Sequence, residues 1–314
     1  MPQAAIVGSG LIGRAWALVF ARSGWTVTMT DPSAEVRAGL ENSLTQDCSV
    51  LERHGLAGSV GDVVARITVA AKLEEAVAGA AFVQENGPED CGIKRRIFTE
   101  LDRFAPPEAI LASSTSAIVG SRFTEDLPGR ARCVVGHPVN PPHLVPLVEI
   151  CAAPWTSETT IERTREVYSQ IGQIPVMVKR EVDGFVLNRL QGALLAEAFR
   201  LVRDGVVSPE DLDKTVKHGL GLRWSFMGPF ETIELNAPGG IADYCARYNG
   251  FYQRLMEDPP GADAFAMDAV EKVLRSWPYE ADVERIAALT DWRNERLAAL
   301  QAHKSSCELG ATKA

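Results

Sequence analysis

Three things are scarce in this sequence of 314 residues: positive charge, paired cysteines and uninterrupted apolar runs. Lysine and arginine number 32 against 41 aspartates and glutamates, which leaves a net charge of −9. A nucleic-acid binder needs a basic face to neutralise phosphates, so this balance argues against that class. The cysteines (Cys48, Cys91, Cys133, Cys151, Cys245 and Cys307) form no Cys-x-x-Cys pair. Such scatter suits neither a zinc knuckle nor a disulfide framework; no metal site is expected, and a reducing cytosol is the simplest setting. No apolar stretch approaches the roughly 20 residues that span a bilayer. The N-terminus opens almost directly into a strand-like run, which leaves no room for a signal peptide. The most apolar long segment, Phe185 to Val202, carries Arg189, Glu197 and Arg200 and reads as a buried amphipathic helix.

What is present is an ordinary globular composition, 46% hydrophobic and 23% charged, in a chain long enough for two domains. The first half alternates β-rich runs with helical patterns. Strands are expected at Ala4–Gly8, Thr26–Thr30, Ala80–Glu85, Ala109–Ser113, Arg132–His137, Leu147–Cys151 and Val176–Lys179. Helices are expected at Leu11–Ser23, Ala34–His54, about Asp90–Phe104 and Thr159–Ile171. This alternation implies a mostly parallel sheet covered on both faces, a Rossmann-type α/β domain over residues 1–183. Beyond Asp183-Gly184 the β runs stop, and 184–314 reads as an all-α domain with a frayed tail over its last ten residues.

The stretch Gly8-Ser9-Gly10-Leu11-Ile12-Gly13 places Gly-x-Gly-x-x-Gly between a strand and a helix. Gly8 allows the tight turn, Gly10 lets backbone approach a pyrophosphate, and Gly13 lets helix and strand pack closely. The amides of the helix start, at Leu11 and Ile12, then face the phosphates. Asp31 ends the second strand, 18 residues after Gly13. A carboxylate there bonds the adenine-ribose hydroxyls of NAD and repels the extra phosphate of NADP. No arginine follows it immediately, and Arg37 lies further on. NAD is therefore the expected cofactor.

Gly136-His137-Pro138-Val139-Asn140-Pro141-Pro142 follows a sheet strand, where open parallel sheets bind ligands. If the chain doubles back around His143, His137 falls opposite Glu149, which would fix one imidazole tautomer and stabilise the imidazolium. The remaining histidines (His54, His143, His218 and His303) lack such a setting in the sequence. The alternative is a structural histidine capping a turn, with Glu149 merely satisfying it. Ser113-Ser114-Thr115-Ser116 ends another strand and either points hydroxyls into the cleft or caps a helix. Glu85, Asn86, Glu89 and Lys94 follow a third strand and read either as cleft residues or as a solvated helix start.

The glycine turn, the S-S-T-S run, G-H-P-V-N-P-P, L-V-E-I and G-F-V-L-N-R-L stand in an order and spacing that resembles the 3-hydroxyacyl-CoA dehydrogenase superfamily. The stretches G-S-G-L-I-G-R, H-P-V-N-P-P, E-V-x-G-F-V-L-N-R-L-Q and G-P-x-E-T-x-x-L-N-A bring it closer to the lambda-crystallin, or L-gulonate 3-dehydrogenase, branch. The resemblance covers nearly the whole chain. It implies His137 as general acid/base, Glu149 as its orienting partner, and Ser116 and Asn188 on the reacting oxygen. It also implies Asn140 near the nicotinamide or the substrate oxygen, Glu89 and Lys94 near the nicotinamide ribose, and a homodimer joined through the helical domain.

Two departures from the acyl-CoA members bear on substrate. Residues 34–66 hold no lysine, the first in the chain being Lys72, whereas coenzyme A is a polyanion; Arg37, Arg53 and Arg66 soften that point. Arg223, in Gly221-Leu222-Arg223-Trp224, could clamp a free carboxylate, or could form a surface salt bridge with an acid such as Glu231. The expected substrate is a small anionic hydroxy acid, L-gulonate first. The competing expectations are a short-chain hydroxyacyl-CoA dehydrogenase, a dehydrogenase for another small 3-hydroxy acid, and a crystallin-like structural protein that keeps its NAD site.

Overall fold

A computed structural model describes residues 1–280 and 282–311. Elements follow the expected alternation: β1 (Gln3–Val7), α1 (Leu11–Arg22), β2 (Thr26–Thr30), α2 (Ala34–Arg53), α3 (Val60–Val64), β3 (Ile67–Val69), α4 (Leu73–Val77), β4 (Phe82–Glu85) and α5 (Cys91–Phe104). Then come β5 (Ile110–Ser113), α6 (Ser121–Thr124), β6 (Cys133–Pro138), β7 (Leu147–Ala152), α7 (Glu158–Gln170) and β8 (Ile174–Val178). The strands form one sheet in the order β3-β2-β1-β4-β5-β6-β7-β8. Every pairing is parallel except β6 with β7. Short elements escaped the sequence reading: β3 has three residues and α3 and α4 five each, too few to show a period.

Alternate side chains of each central strand enter different layers. Ala4, Ile6, Phe82, Ile110, Ala112 and Val134 pack with α1, α2 and α7. Ala5, Val7, Val83, Leu111, Cys133 and Val135 pack with α5 and α6 on the other face. This two-sided burial explains why the strands read as continuous apolar runs. Gly136 is one place where the layers demand glycine: a Cβ there would strike the Tyr168 hydroxyl, which donates to Gln84 Oε1 at 2.7 Å. Strand order reverses between β1 and β4, which opens the ligand crevice at their carboxyl ends.

The chain divides into two compact units, residues 1–188 with 286–314, and residues 189–285. The helices are α8 (Leu187–Arg203), α9 (Pro209–Thr215), α10 (Gly221–Trp224), α11 (Pro229–Glu234), α12 (Gly240–Leu255), α13 (Met267–Ser276) and α14 (Val283–Ala311). Three expectations change. Phe185 is not helical but sits at φ 50°, and the helix that follows buries only Ala196, so the buried helix expected from Phe185 is instead half-exposed. By its contacts α14 groups with the first unit from Ile286 onward, where Ala298 joins the core. Helix also replaces the expected frayed tail as far as Ala311, continuing from the Ala-, Leu-, Glu- and Arg-rich body of α14; positions 312–314 lie outside the described residues. Among the described residues no helix is long and apolar enough to cross a membrane.

Candidate active site

The glycine turn meets the close-packing demands its spacing implied. Gly8 has φ 88°, and a Cβ on it would lie 2.7 Å from the Asn86 carbonyl oxygen. A Cβ on Gly13 would collide with the Gly8 carbonyl. Around Gly10 a Cβ would meet nothing, so that position faces open space. Helix α1 starts there with no side-chain cap and no acid in its first turn, leaving the amide end free for an anion. Leu11 is exposed and Ile12 packs against the core.

Asp31 stands beside this turn. Its Oδ2 accepts from Ser9 N and its Oδ1 from Ser33 N, each at 2.9 Å. Two amides thus orient the carboxylate and leave lone pairs for further donors. Gly8, Gly10, Asp31, Asn86 and Gly87 line one cavity of about 610 Å³. Its apolar wall, including Leu73, Ile93 and Ile97, was invisible in the sequence because no motif marks it. Arg37 bends back, its Nη1 donating to the Asp31 carbonyl at 2.6 Å.

His137 and Glu149 face each other across the antiparallel β6–β7 ladder. His137 Nδ1 lies 2.8 Å from Glu149 Oε2, and both side chains are buried. The other Glu149 oxygen accepts from Val186 N at 2.8 Å and Leu187 N at 3.0 Å, where α8 begins. Burial alone would raise the Glu149 carboxyl, but the hydrogen bonds from His137, Leu187 and Val186 outweigh it and hold the group below the usual carboxylate range. Phe185 flanks the imidazole, ring centroids 5.4 Å apart. The positive φ of Phe185 turns the chain so that the next two amides reach Glu149. Sequence reasoning missed this role, although G-F-V-L-N-R-L was visible. Among the described residues Nε2 of His137 has no hydrogen-bond partner.

The loop after β5 is gripped by Glu89. One of its oxygens accepts from Thr115 Oγ1 at 2.5 Å and from the amides of Ser116, Ala117 and Ile118 at 3.1, 2.9 and 3.3 Å. Ser116 is exposed, and its carbonyl accepts from Asn188 Nδ2 at 2.8 Å. Glu89, Ser116 and Asn188 therefore come together. Lys94 is enclosed instead: its ammonium lies 3.1 Å from both oxygens of the buried Glu85, and 3.8 Å from Glu89. Asn140 is exposed in the β6–β7 connection. Arg223 lies in α10, exposed, and pairs with no acid among the described residues; Glu231 instead accepts from Gly228 N at the start of α11. His54, which had no visible partner in sequence, meets Glu295 at 2.7 Å, brought from 241 positions away.

The model of the 3-hydroxyacyl-CoA dehydrogenase NAD binding domain matches residues 3–182, and that of its C-terminal domain matches 184–274. The chain belongs to the 3-hydroxyacyl-CoA dehydrogenase family. It is similar to lambda-crystallin of Oryctolagus cuniculus, 41% identical over 93% of each chain. It is also 36% identical to an L-carnitine dehydrogenase of Pseudomonas putida, over 96% of this chain and 94% of that one. A solved 5-formyl-3-hydroxy-2-methylpyridine 4-carboxylic acid 5-dehydrogenase, described as an NAD+ dependent dismutase, superposes with TM-score 0.84 at 30% identity. That match covers 96% of this chain and 97% of the other. As a member of this family, the protein is an NAD-dependent dehydrogenase acting on a CH–OH group, and the glycine turn with Asp31 belongs to its NAD-binding domain.

Proposed function

We propose that this dehydrogenase oxidises the 3-hydroxyl of a small free hydroxy acid, L-gulonate foremost, with His137 as the general base. The observation that carries the reading is the buried His137–Glu149 pair, which leaves Nε2 of the imidazole open. Glu149 fixes the tautomer: with Nδ1–H donated to the carboxylate, Nε2 presents a lone pair and can take the hydroxyl proton. The negative Glu149 then stabilises the imidazolium, and its own two amide donors hold it in place. Bound NAD supplies the hydride acceptor. Ser116 and Asn188 bond the substrate oxygen as charge develops on it, and Glu89 sets the loop that carries Ser116. Gly8, Gly10, Leu11, Ile12 and Gly13 cradle the pyrophosphate, Asp31 takes the adenosine ribose, and Asn140 lies toward the nicotinamide end. In this reading Lys94 acts from behind, through Glu85, not on the cofactor.

A free acid is favoured over an acyl-CoA by the absence of lysine from 34–66 and by the state of one of its arginines. Arg53 is neutralised by Glu295, whereas Arg37 and Arg66 donate only to the Asp31 and Asp62 carbonyls and keep their charge. Arg223, which pairs with no acid among the described residues, is the proposed carboxylate clamp. The relatives named for L-carnitine and for a pyridine carboxylic acid support a carboxylate-bearing substrate. The same reading takes 1–183 and the helices of 184–314 as the working domains of a cytosolic homodimer, with α14 grouping by its contacts with the first. The helical unit supports a dimer by exposing Phe226, Phe230, Leu235 and Met267, side chains that a partner would cover.

The test is NADH formation from NAD with L-gulonate, L-carnitine, L-3-hydroxybutyrate and 3-hydroxybutyryl-CoA. Turnover of a free acid with no turnover of the acyl-CoA supports the reading. Preference for the acyl-CoA refutes it.

A further inference from the structure

We infer that a second cavity, walled by Arg22, His143 and Gln301, binds a small carboxylate-bearing molecule apart from the dinucleotide cleft. The cavity measures about 360 Å³, and all its lining residues belong to the first compact unit. Leu144 and Ile171 supply an apolar floor, while Gln301 and Ser305 of α14 supply a polar rim.

Two side chains there are left incomplete. His143 is 6% exposed, and its Nδ1 is enclosed without a hydrogen-bond partner. Buried polar atoms are nearly always paired, but this one has too little accessible surface to be reached from the cavity, so Arg22 is the group an occupant meets. Arg22 donates from Nη1 to the His143 carbonyl at 2.9 Å but meets no carboxylate among the described residues. Burial lowers its pKa to about 10, which leaves it cationic at neutral pH. A part-buried cation without a counter-ion is costly unless an anion joins it.

The charge of the missing partner follows from the same residues. Burial first, then Arg22, Arg14 and Arg293, push the His143 imidazole down to about 3, so the ring is neutral and Arg22 is the charged side chain among the described residues lining the cavity. One guanidinium fork with remaining N–H donors, and no second cation among the described residues lining the cavity, matches a carboxylate better than a phosphate dianion. His143 also borders a cavity of about 290 Å³, where Asp47, Asp291 and Glu295 outnumber Arg53. Those acids repel an anion, which leaves the Arg22 side as its place. His143 sits in the connection between His137 and Glu149, so an occupant would hold that connection against α1 and α14.

The experiment is calorimetric titration of the full chain, saturated with NADH, using succinate and, separately, inorganic phosphate. Succinate is expected to bind, to weaken at least about tenfold in Arg22→Met and measurably in Gln301→Leu, and to be unchanged at this site in Arg223→Ala. Gln301→Leu lies on a helix face and decides the matter if Arg22→Met does not fold. No succinate binding to the unaltered chain, or binding unchanged in both cavity variants, overturns the inference. Phosphate binding in place of succinate overturns the carboxylate assignment.

Discussion

Lys94 and Glu85 form one buried acid–base pair, and His137 and Glu149 form another two strands away. In the first, every strong bond is internal. Glu85 accepts from Lys94 at both oxygens, from Ser113 Oγ at 2.5 Å and from Gly87 N at 2.6 Å. That cluster ties β4, β5 and α5 together behind the dinucleotide cleft. In the second, Glu149 is equally well held, but the imidazole keeps one nitrogen open. Burial and pairing are common to both, so neither marks chemistry. The open atom does.

The largest expected effect that separates the pairs is His137→Gln, which should lower kcat by up to about 10⁴-fold while NADH binding, followed by fluorescence, stays near normal. Next is Lys94→Met. Breaking a buried pair leaves Glu85 uncompensated and should cost about 3–5 kcal/mol of stability, read by denaturant unfolding, and turnover per folded molecule should fall far less than in His137→Gln. If Lys94→Met instead stays fully stable and loses turnover, the contrast between the pairs is wrong.

Glu149→Gln should lower kcat about 10²-fold, because the imidazolium loses its counter-charge. It has a second readout. The folded Glu149 carboxyl lies below its unfolded value, so its stabilisation is full above the ordinary carboxylate range and is lost as pH falls through the folded value. Glu149→Gln should therefore flatten the acid loss of stability, measured as unfolding midpoints from about pH 6 to about pH 3. The smallest effect is expected for Arg223→Ala. It should raise KM for the free acid about tenfold with kcat little changed, the mark of lost binding alone.

How much of this was legible follows from which physical signals are local. The glycine turn, Asp31 and the 12-residue hairpin joining His137 to Glu149 announce themselves, because turn chemistry and strand register act over short spans. Lys94 reads as a cleft residue because a lysine near a helix start is ordinarily solvated; only the packed sheet reveals that Glu85 encloses it. The Glu89 oxygen that fastens Ser116 depends on loop geometry 27 residues away. The Phe185 turn depends on a backbone angle that no side chain advertises. The pairing of His54 with Glu295 needs α14 to return to the first unit, a tertiary event without local cause.

The most direct test of the central claim is the pH dependence of kcat/KM for the best free acid in the unaltered enzyme and in His137→Gln. With His137 as the base, activity of the unaltered enzyme falls on the acid side with a single proton, and the residual activity of His137→Gln lacks that fall. An acid limb that survives unchanged in His137→Gln would contradict it, and would move the general base to another residue.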